Sequence, residues 1–532
     1  MGVYVNLTIV PSRITPEAWQ EAYEESLALL RGYAGEMMGI QFEQISSTKR
    51  RAYSRRIEHH IDDPKQRHWH VVGDFASKET GESFILYSDL EHYRDRGSHS
   101  KSEEEINDII VNIIEEKGGG RDVFSDKTQG CPYHIPLLAV AMLVEDRFSM
   151  YAHASGDIDV HQAKQAQAFA KTALKREIAL PLAVEASRLF QRLRAHYQGK
   201  EALAHFDRLF RGDSSSSFEI LYKLSDRAAF AQNFLDDLRY YKSPTQLGVI
   251  NLSMKWLNAT RDLKTLCELA CLHENGPKFD PLQFAGALAS TWVSIEESMR
   301  GVMNPFRKPK GAVDSVDSQF GAMFMDMGGL KGRNMRFYMN EKQVVQTLAE
   351  LFSAHAAPMG NVFIAETEKI RKNLAESQEA LESLVKSNET DPEFGDGSSF
   401  KLLKSAENLS PNQRLLLEGV AYALSLTRTK FQEEDPEIFR ETVERMHEHI
   451  VLISQHQGIT LTEDAWKWLD QENDHELLRF VLMLVLIKND EQRFWNMRKG
   501  LLENRELCKA ALKMTHDQEL LAKIAGEIEP AN

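Results

Sequence analysis

The sequence predicts an α+β N-terminal region, a small sheet with packed helices, followed by a long all-α region built as helical hairpins or a solenoid. Three observations carry this. Residues Val3, Val5, Leu7 and Ile9 alternate with polar or half-polar neighbours, the period-2 signature of a strand with one buried face. Asp159 to Gln162 has the D-x-x-Q form of a capping box and follows a Ser155-Gly156-Asp157 turn, so a short strand hands over to a helix there. Beyond Pro181, strand signals nearly vanish and apolar residues recur at helical spacing to the end of the chain.

The elements follow in order. Pro16 sits at a first helical position, with Trp19, Tyr23, Leu27 and Leu30 on one face, so the opening strand leads into a helix. His68 to Phe75 and Ser83 to Tyr93 read as the arms of a hairpin around Ser77–Gly81. Glu103 to Glu116 reads as a helix stopped by the glycines at 118 to 120. An apolar helix from Pro136 to Asp146 and a strand from Met150 to Ala154 precede the capped helix, which runs toward Leu174. In the helical part, Phe439, Val443, Met446, Ile450 and Ile453 form a one-sided stripe, and Gly458, Asn473-Asp474 and Asn489-Asp490 mark short links between helices. No fixed repeat period is present. The linear division is residues 1–180 as an α+β domain, 181–355 as a helical domain with a Gly/Met-rich insertion at 301–340, and 356–532 as a C-terminal helical domain.

Composition narrows the function classes. At 532 residues, with 42% hydrophobic and 27% charged residues, the chain has the means to bury a core and is not a disordered tail. Its 64 basic and 79 acidic residues give a net charge of -15, the wrong sign for coating duplex DNA. The four cysteines, Cys131, Cys267, Cys271 and Cys508, are too few and scattered for a disulfide framework, which points to a reducing, cytoplasmic setting. Met1 to Ile9 lacks the form of a signal peptide, and the most apolar run, Leu477 to Ile487, is too short to span a bilayer. It is expected as a buried helix, and no membrane association is expected.

Motifs for P-loops, dinucleotide folds, hydrolase elbows, zinc proteases and EF-hands are absent. Histidine is the suggestive residue type, because nine of 18 lie in the first 161 residues. His68 and His70 share a strand face, a spacing that metal sites on sheets use. If the hairpin is symmetric about residue 80, His92 lies opposite His68 and three imidazoles converge, with Asp74 or Asp89 as an added carboxylate. Register decides this, and exposed or singly hydrogen-bonded histidines are the alternative.

Five cations fall within eight residues, Lys49, Arg50, Arg51, Arg55 and Arg56, interleaved with Tyr53. They read either as phosphate contacts with a stacked base or as a solvated face or local ion-pair network, the acids at Glu58, Asp62 and Asp63 favouring the latter. Asp157 and Asp159 set two carboxylates beside a helix start, the place for a divalent ion or an oriented Asp, but Asp159 is explained as the N-cap and Gly156 as the turn residue. Cys131 with His134 forms a Cys-His pair without a third orienting residue, and Cys267 with Cys271 reads as a core pair. Residues 301–340 hold six of the 18 methionines. Methionine packs adaptably, so Met323, Met325 and Met327 are the candidate binding residues of a partner-gripping loop, the alternative being a loop filling gaps in the protein's own core.

These observations favour a non-enzymatic protein-protein interaction factor of adaptor, immunity or regulatory type that binds another protein through its helical surface. No cofactor and no nucleic-acid partner are expected. The second reading is a metal-dependent hydrolase or nuclease with a divalent ion on His68, His70 and His92.

Overall fold

The computed structural model describes residues 3–45, 48–94, 107–116, 119–300, 335–387, 409–434, 441–487 and 492–528. The described residues are mostly helical, beside one sheet of three strands and one of six, so the fold is α+β at the N-terminus and mostly helical overall. No helix among the described residues is long and apolar enough to cross a membrane.

Two compact units are interleaved in sequence: residues 1–15, 93–125 and 137–391 form one, and residues 16–92, 126–136 and 392–532 the other. The two units cut across the linear division at 180 and 355, since residues 16–92 and 392–532 share one of them.

In the first unit, β1 (Tyr4–Ile9) lies between β7 (Arg121–Lys127) and β8 (Ala152–Gly156). Its alternation has the expected result, since Val5, Leu7 and Ile9 are fully buried. β1 runs antiparallel to β8 from Val5 opposite Gly156 to Ile9 opposite Ala152. Gly156 has φ of +121°, and a Cβ there would stand 2.5 Å from the Tyr4 carbonyl oxygen, so both conformation and space require glycine. Asp157 accepts the Tyr4 N–H, and Asp159 and Gln162 close the capping box reciprocally at the start of the Val160–Leu174 helix. From Ala186 onward the regular elements among the described residues of this unit are helices. Phe190, Phe206, Phe234, Trp256, Phe284 and Phe363 anchor its core.

The second unit contains the Pro16–Arg31 helix and six strands: β2 (Met37–Ile45), β3 (Thr48–Ser54), β4 (Glu58–His59), β5 (His68–Asp74), β6 (Thr80–Tyr87) and β9 (Leu461–Thr462). Their order is β4-β5-β2-β3-β9, with β6 on the other edge of β5. The helix covers one face: Trp19 donates to the Tyr87 carbonyl, and Trp69 donates to Ser26 Oγ. The Val443–His456, Glu463–Gln471, His475–Leu486, Gln492–Glu503 and Arg505–Met514 helices supply the C-terminal core around Met446, Trp466, Leu478, Phe480, Leu501 and Cys508. The apolar run from Leu477 is a buried helix, as its length predicts.

The sequence reading lacks β2, β3 and β7 and the two-residue strands β4 and β9. β2 is buried over its first four residues and alternates only over its last five, while β3 carries three consecutive cations, so neither has the clean period of a half-buried strand.

Candidate functional site

β5 presents alternate residues to opposite faces, which buries Trp69 and Val71 completely and leaves His68 and His70 half-buried on the other side. The register differs from the expected one. His68 stands opposite Tyr87, because the turn centres nearer residue 77 than 80 and a bulge between Val71 and Gly73 shifts the pairing. His92 therefore lies beyond β6, in the single turn Leu90–Tyr93. On the other edge, β4 sets His59 opposite His68.

The imidazoles form a strip of successive ring contacts, one of them stacked, instead of a convergent triangle. The His59 and His68 rings are parallel at 5.0 Å, His59 meets His70 at 5.8 Å, and His60 meets His68 at 5.9 Å. Tyr87 bridges the strip, 4.8 Å from His68 and stacked at 3.9 Å on His92. Ring nitrogens are engaged elsewhere: His68 Nδ1 with the Gln66 carbonyl, His70 Nε2 with Ser83 Oγ, His92 Nε2 with the Lys65 carbonyl. A metal ion needs nitrogen lone pairs aimed at one point about 2 Å from each. Among the described residues no group of three or more His, Cys, Asp or Glu side chains has that arrangement. Asp74 caps its own turn through the Ser77 N–H and hydroxyl, and Asp89 accepts the Glu91 N–H. Burial, reinforced by neighbouring imidazoles and arginines, pushes His59 and His70 down to about 4, so both are neutral near pH 7.

The basic cluster resolves into paired and unpaired cations. Arg50 is buried, donates to Glu43 at 2.7 Å and Asp470 at 2.8 Å, and lies over the Trp466 ring. Arg55 donates to Glu36, Glu463 and Asp464 and covers Phe75. The ion-pair reading therefore holds for these two, with acids drawn from Glu36 and Glu43 at β2 and from the Glu463–Gln471 helix, and not from Glu58, Asp62 or Asp63. Tyr53 packs beside Met38, Ile40, Val72 and Phe75 and receives the Lys499 ammonium on its ring at 4.7 Å, which occupies the face a stacked base would need. Lys49 and Arg51 are exposed, with no carboxylate within 4.0 Å among the described residues.

Those two cations border a cleft that sequence reasoning missed. The Val443–His456 helix ends in a Schellman turn: the Gly458 N–H bonds to Gln455 O and the Ile459 N–H to Ser454 O, with Gly458 at φ +66°. The chain then enters β9, which runs parallel to β3 with Ala52 opposite Leu461 and Tyr53 opposite Thr462. Pairing stops at Ala52. Between Lys49–Arg51 and Gly458–Thr460 a cavity of about 280 Å³ opens, floored by Val451, Ile459 and Trp466. Phe42, directly across the hairpin from Arg51, stands at its edge and is 68% exposed. Ser454 lines the cavity, is 1% exposed, and its hydroxyl has no hydrogen-bond partner among the described residues. Buried hydroxyls are normally satisfied, so this one stands out chemically. Of its lining, the cations at 49–51 and the Gly458 helix stop were legible in the sequence, and the cleft they share was not.

The remaining candidates have structural surroundings. Cys131 is buried, and His134 Nδ1 is engaged with Thr128 Oγ1 at 2.7 Å. Cys267 and Cys271 are buried, and burial raises both thiols, Cys271 to about 12, which disfavours the reactive thiolate. Met323, Met325 and Met327 lie outside the described residues. No family model, no curated protein and no solved structure matches this chain.

Proposed function

We propose that the chain is a protein-binding factor whose cleft beside Trp466 receives a segment of another protein. The observation that carries this reading is the cleft itself, where an exposed Phe42, two unpaired cations and an unsatisfied buried hydroxyl meet. Each is unfavourable or idle in the free chain and is satisfied by an occupant that has both apolar and polar groups. One wall is the C-terminal end of the Val443–His456 helix, in keeping with recognition through helical surface. The segment with Met323, Met325 and Met327 remains a second candidate contact on sequence grounds alone. A strip of rings with engaged nitrogens gives the hydrolase reading no geometric support.

The test replaces Phe42 with a photo-crosslinking benzoylphenylalanine and irradiates the source cells. A discrete protein adduct at Phe42, and none at the same substitution of Tyr240, which is 85% exposed elsewhere, is the expected result. Equal or absent labelling at the two positions overturns the reading.

A further inference from the structure

Resting on that reading, we infer that the occupant of the cleft is an extended acidic peptide segment of a partner protein, carrying one or two bulky apolar side chains between its carboxylates. Charge decides the sign. The neighbouring arginines Arg50 and Arg55 take five carboxylates between them, whereas Lys49 and Arg51, on the same strand as Arg50, take none among the described residues. In a chain with 79 acidic side chains, two adjacent cations left open at the rim of a cavity form a local positive field against a negative background. That field attracts acidic groups and repels basic ones, and such rim charges set specificity and on-rate more than raw affinity.

Size and lining decide the rest. Small-molecule pockets occupy roughly 300–1,000 Å³. At about 280 Å³ with an apolar floor, this cavity matches an inserted side chain or two better than a whole cofactor. Its long walls are a strand edge and the stretch leading into β9, so the segment that fits lies extended between them. The apolar side chain then covers Val451 and Ile459, a backbone group of the segment meets Ser454 Oγ, and flanking carboxylates reach Lys49 and Arg51. A single nucleic-acid strand is the less favoured occupant, because it needs stacking faces in series and Tyr53 is already covered.

The full chain is titrated with a fluorescein-labelled, end-blocked decapeptide in which a Leu-Phe pair is flanked by three Asp or Glu residues on each side. Three further probes are used: the same peptide with Asn and Gln for the acids, with Gly-Gly for Leu-Phe, and a 15-nucleotide oligo(dT). The acidic Leu-Phe peptide is expected to bind at least tenfold more tightly than either altered peptide. Its affinity should fall at least tenfold in the Lys49→Glu/Arg51→Glu protein and several-fold in Ser454→Ala, with melting curves showing that both variants fold. Equal binding of the amide peptide, still weakened by Ser454→Ala, overturns the acidic specificity and leaves the protein-binding reading standing. Tighter binding of oligo(dT), lost in the double charge reversal, overturns the peptide in favour of nucleic acid. No binding of the acidic peptide overturns the inference alone, since the Phe42 crosslink tests the broader reading independently.

Discussion

Arg50 donates to Asp470 across 2.8 Å, joining residues 420 positions apart. The guanidinium is 8% exposed while Asp470 remains 44% exposed, so the two partners respond unequally to loss of the bond. Removing Asp470 leaves a buried cation short of one acceptor, with Glu43 alone remaining. Hydrogen bonds to charged groups contribute about 1.5–3 kcal/mol. Asp470→Ala is expected to lower unfolding free energy by about that amount in urea titration, and the loss should vanish when Arg50 is already Met. Equal losses in both backgrounds would show that the pair does not couple.

The same pair shows where sequence reading ends. Features set by neighbours in the chain were legible: the Asp159–Gln162 capping box, the β1 alternation, the Leu477 helix and the Gly458 stop all depend on residues within a turn or two. Features set by distant partners were not. Nothing local to Lys49–Arg56 announces Asp470, Glu463 or Asp464, and nothing local to Leu461 announces a parallel strand at Ala52. The histidine strip falls between the cases. The shared face of His68 and His70 follows from period 2, but the bulge at Val71/Gly73 moves every cross-strand partner and takes His92 off the sheet.

The strip makes stability depend on acidity. His59 and His70 have ring pKa values near 4 in the folded chain, below the ordinary 6.5 of an unfolded histidine. Between pH 6.5 and 4 the unfolded state therefore binds more protons, and stability present above 6.5 is lost as pH falls through that window. The expected result is a melting temperature that drops between pH 6.5 and 4.5, with a shallower drop in His59→Gln/His70→Gln. Solvent access to these half-buried rings moderates the effect. An identical pH profile in the double variant would remove the strip as the cause.

Gly458 separates conformational cost from steric cost. Its φ is +66°, yet a Cβ there meets nothing within 4 Å. Gly458→Ala should thus cost about 1–2 kcal/mol, the penalty for a left-handed L-residue, and Gly458→Asn less, since asparagine tolerates that region. Thermal denaturation of both variants checks the order. A larger loss for Asn than for Ala would contradict it.

The last prediction concerns two fully buried groups in the first unit. Glu145, on the His134–Arg147 helix, accepts the backbone N–H of Leu182 through Oε1 and of Ala154 through Oε2, both at 2.6 Å. His153, on β8, holds Nδ1 3.7 Å from Oε2 without a hydrogen-bond partner among the described residues. Burial raises the Glu145 carboxyl to about 7 and lowers the His153 ring to about 4. Between pH 4.5 and 6.5 the folded pair carries one proton, on Glu145. The unfolded pair also carries one, on His153. Their contributions to the pH dependence of stability therefore cancel across that window. Replacing His153 with Gln breaks the cancellation. The folded variant then still binds a proton at Glu145 that the unfolded variant has released, so stability should fall as pH rises from 4.5 to 7, relative to wild type, by on the order of 3 kcal/mol. Glu145→Ala tests the other half: it leaves two buried N–H groups without acceptors and is expected to cost at least about 2 kcal/mol at any pH. Urea unfolding of both variants at pH 5, 6 and 7 distinguishes these outcomes. A His153→Gln difference from wild type that is flat across the three values would show that Glu145 titrates alike in the folded and unfolded chains.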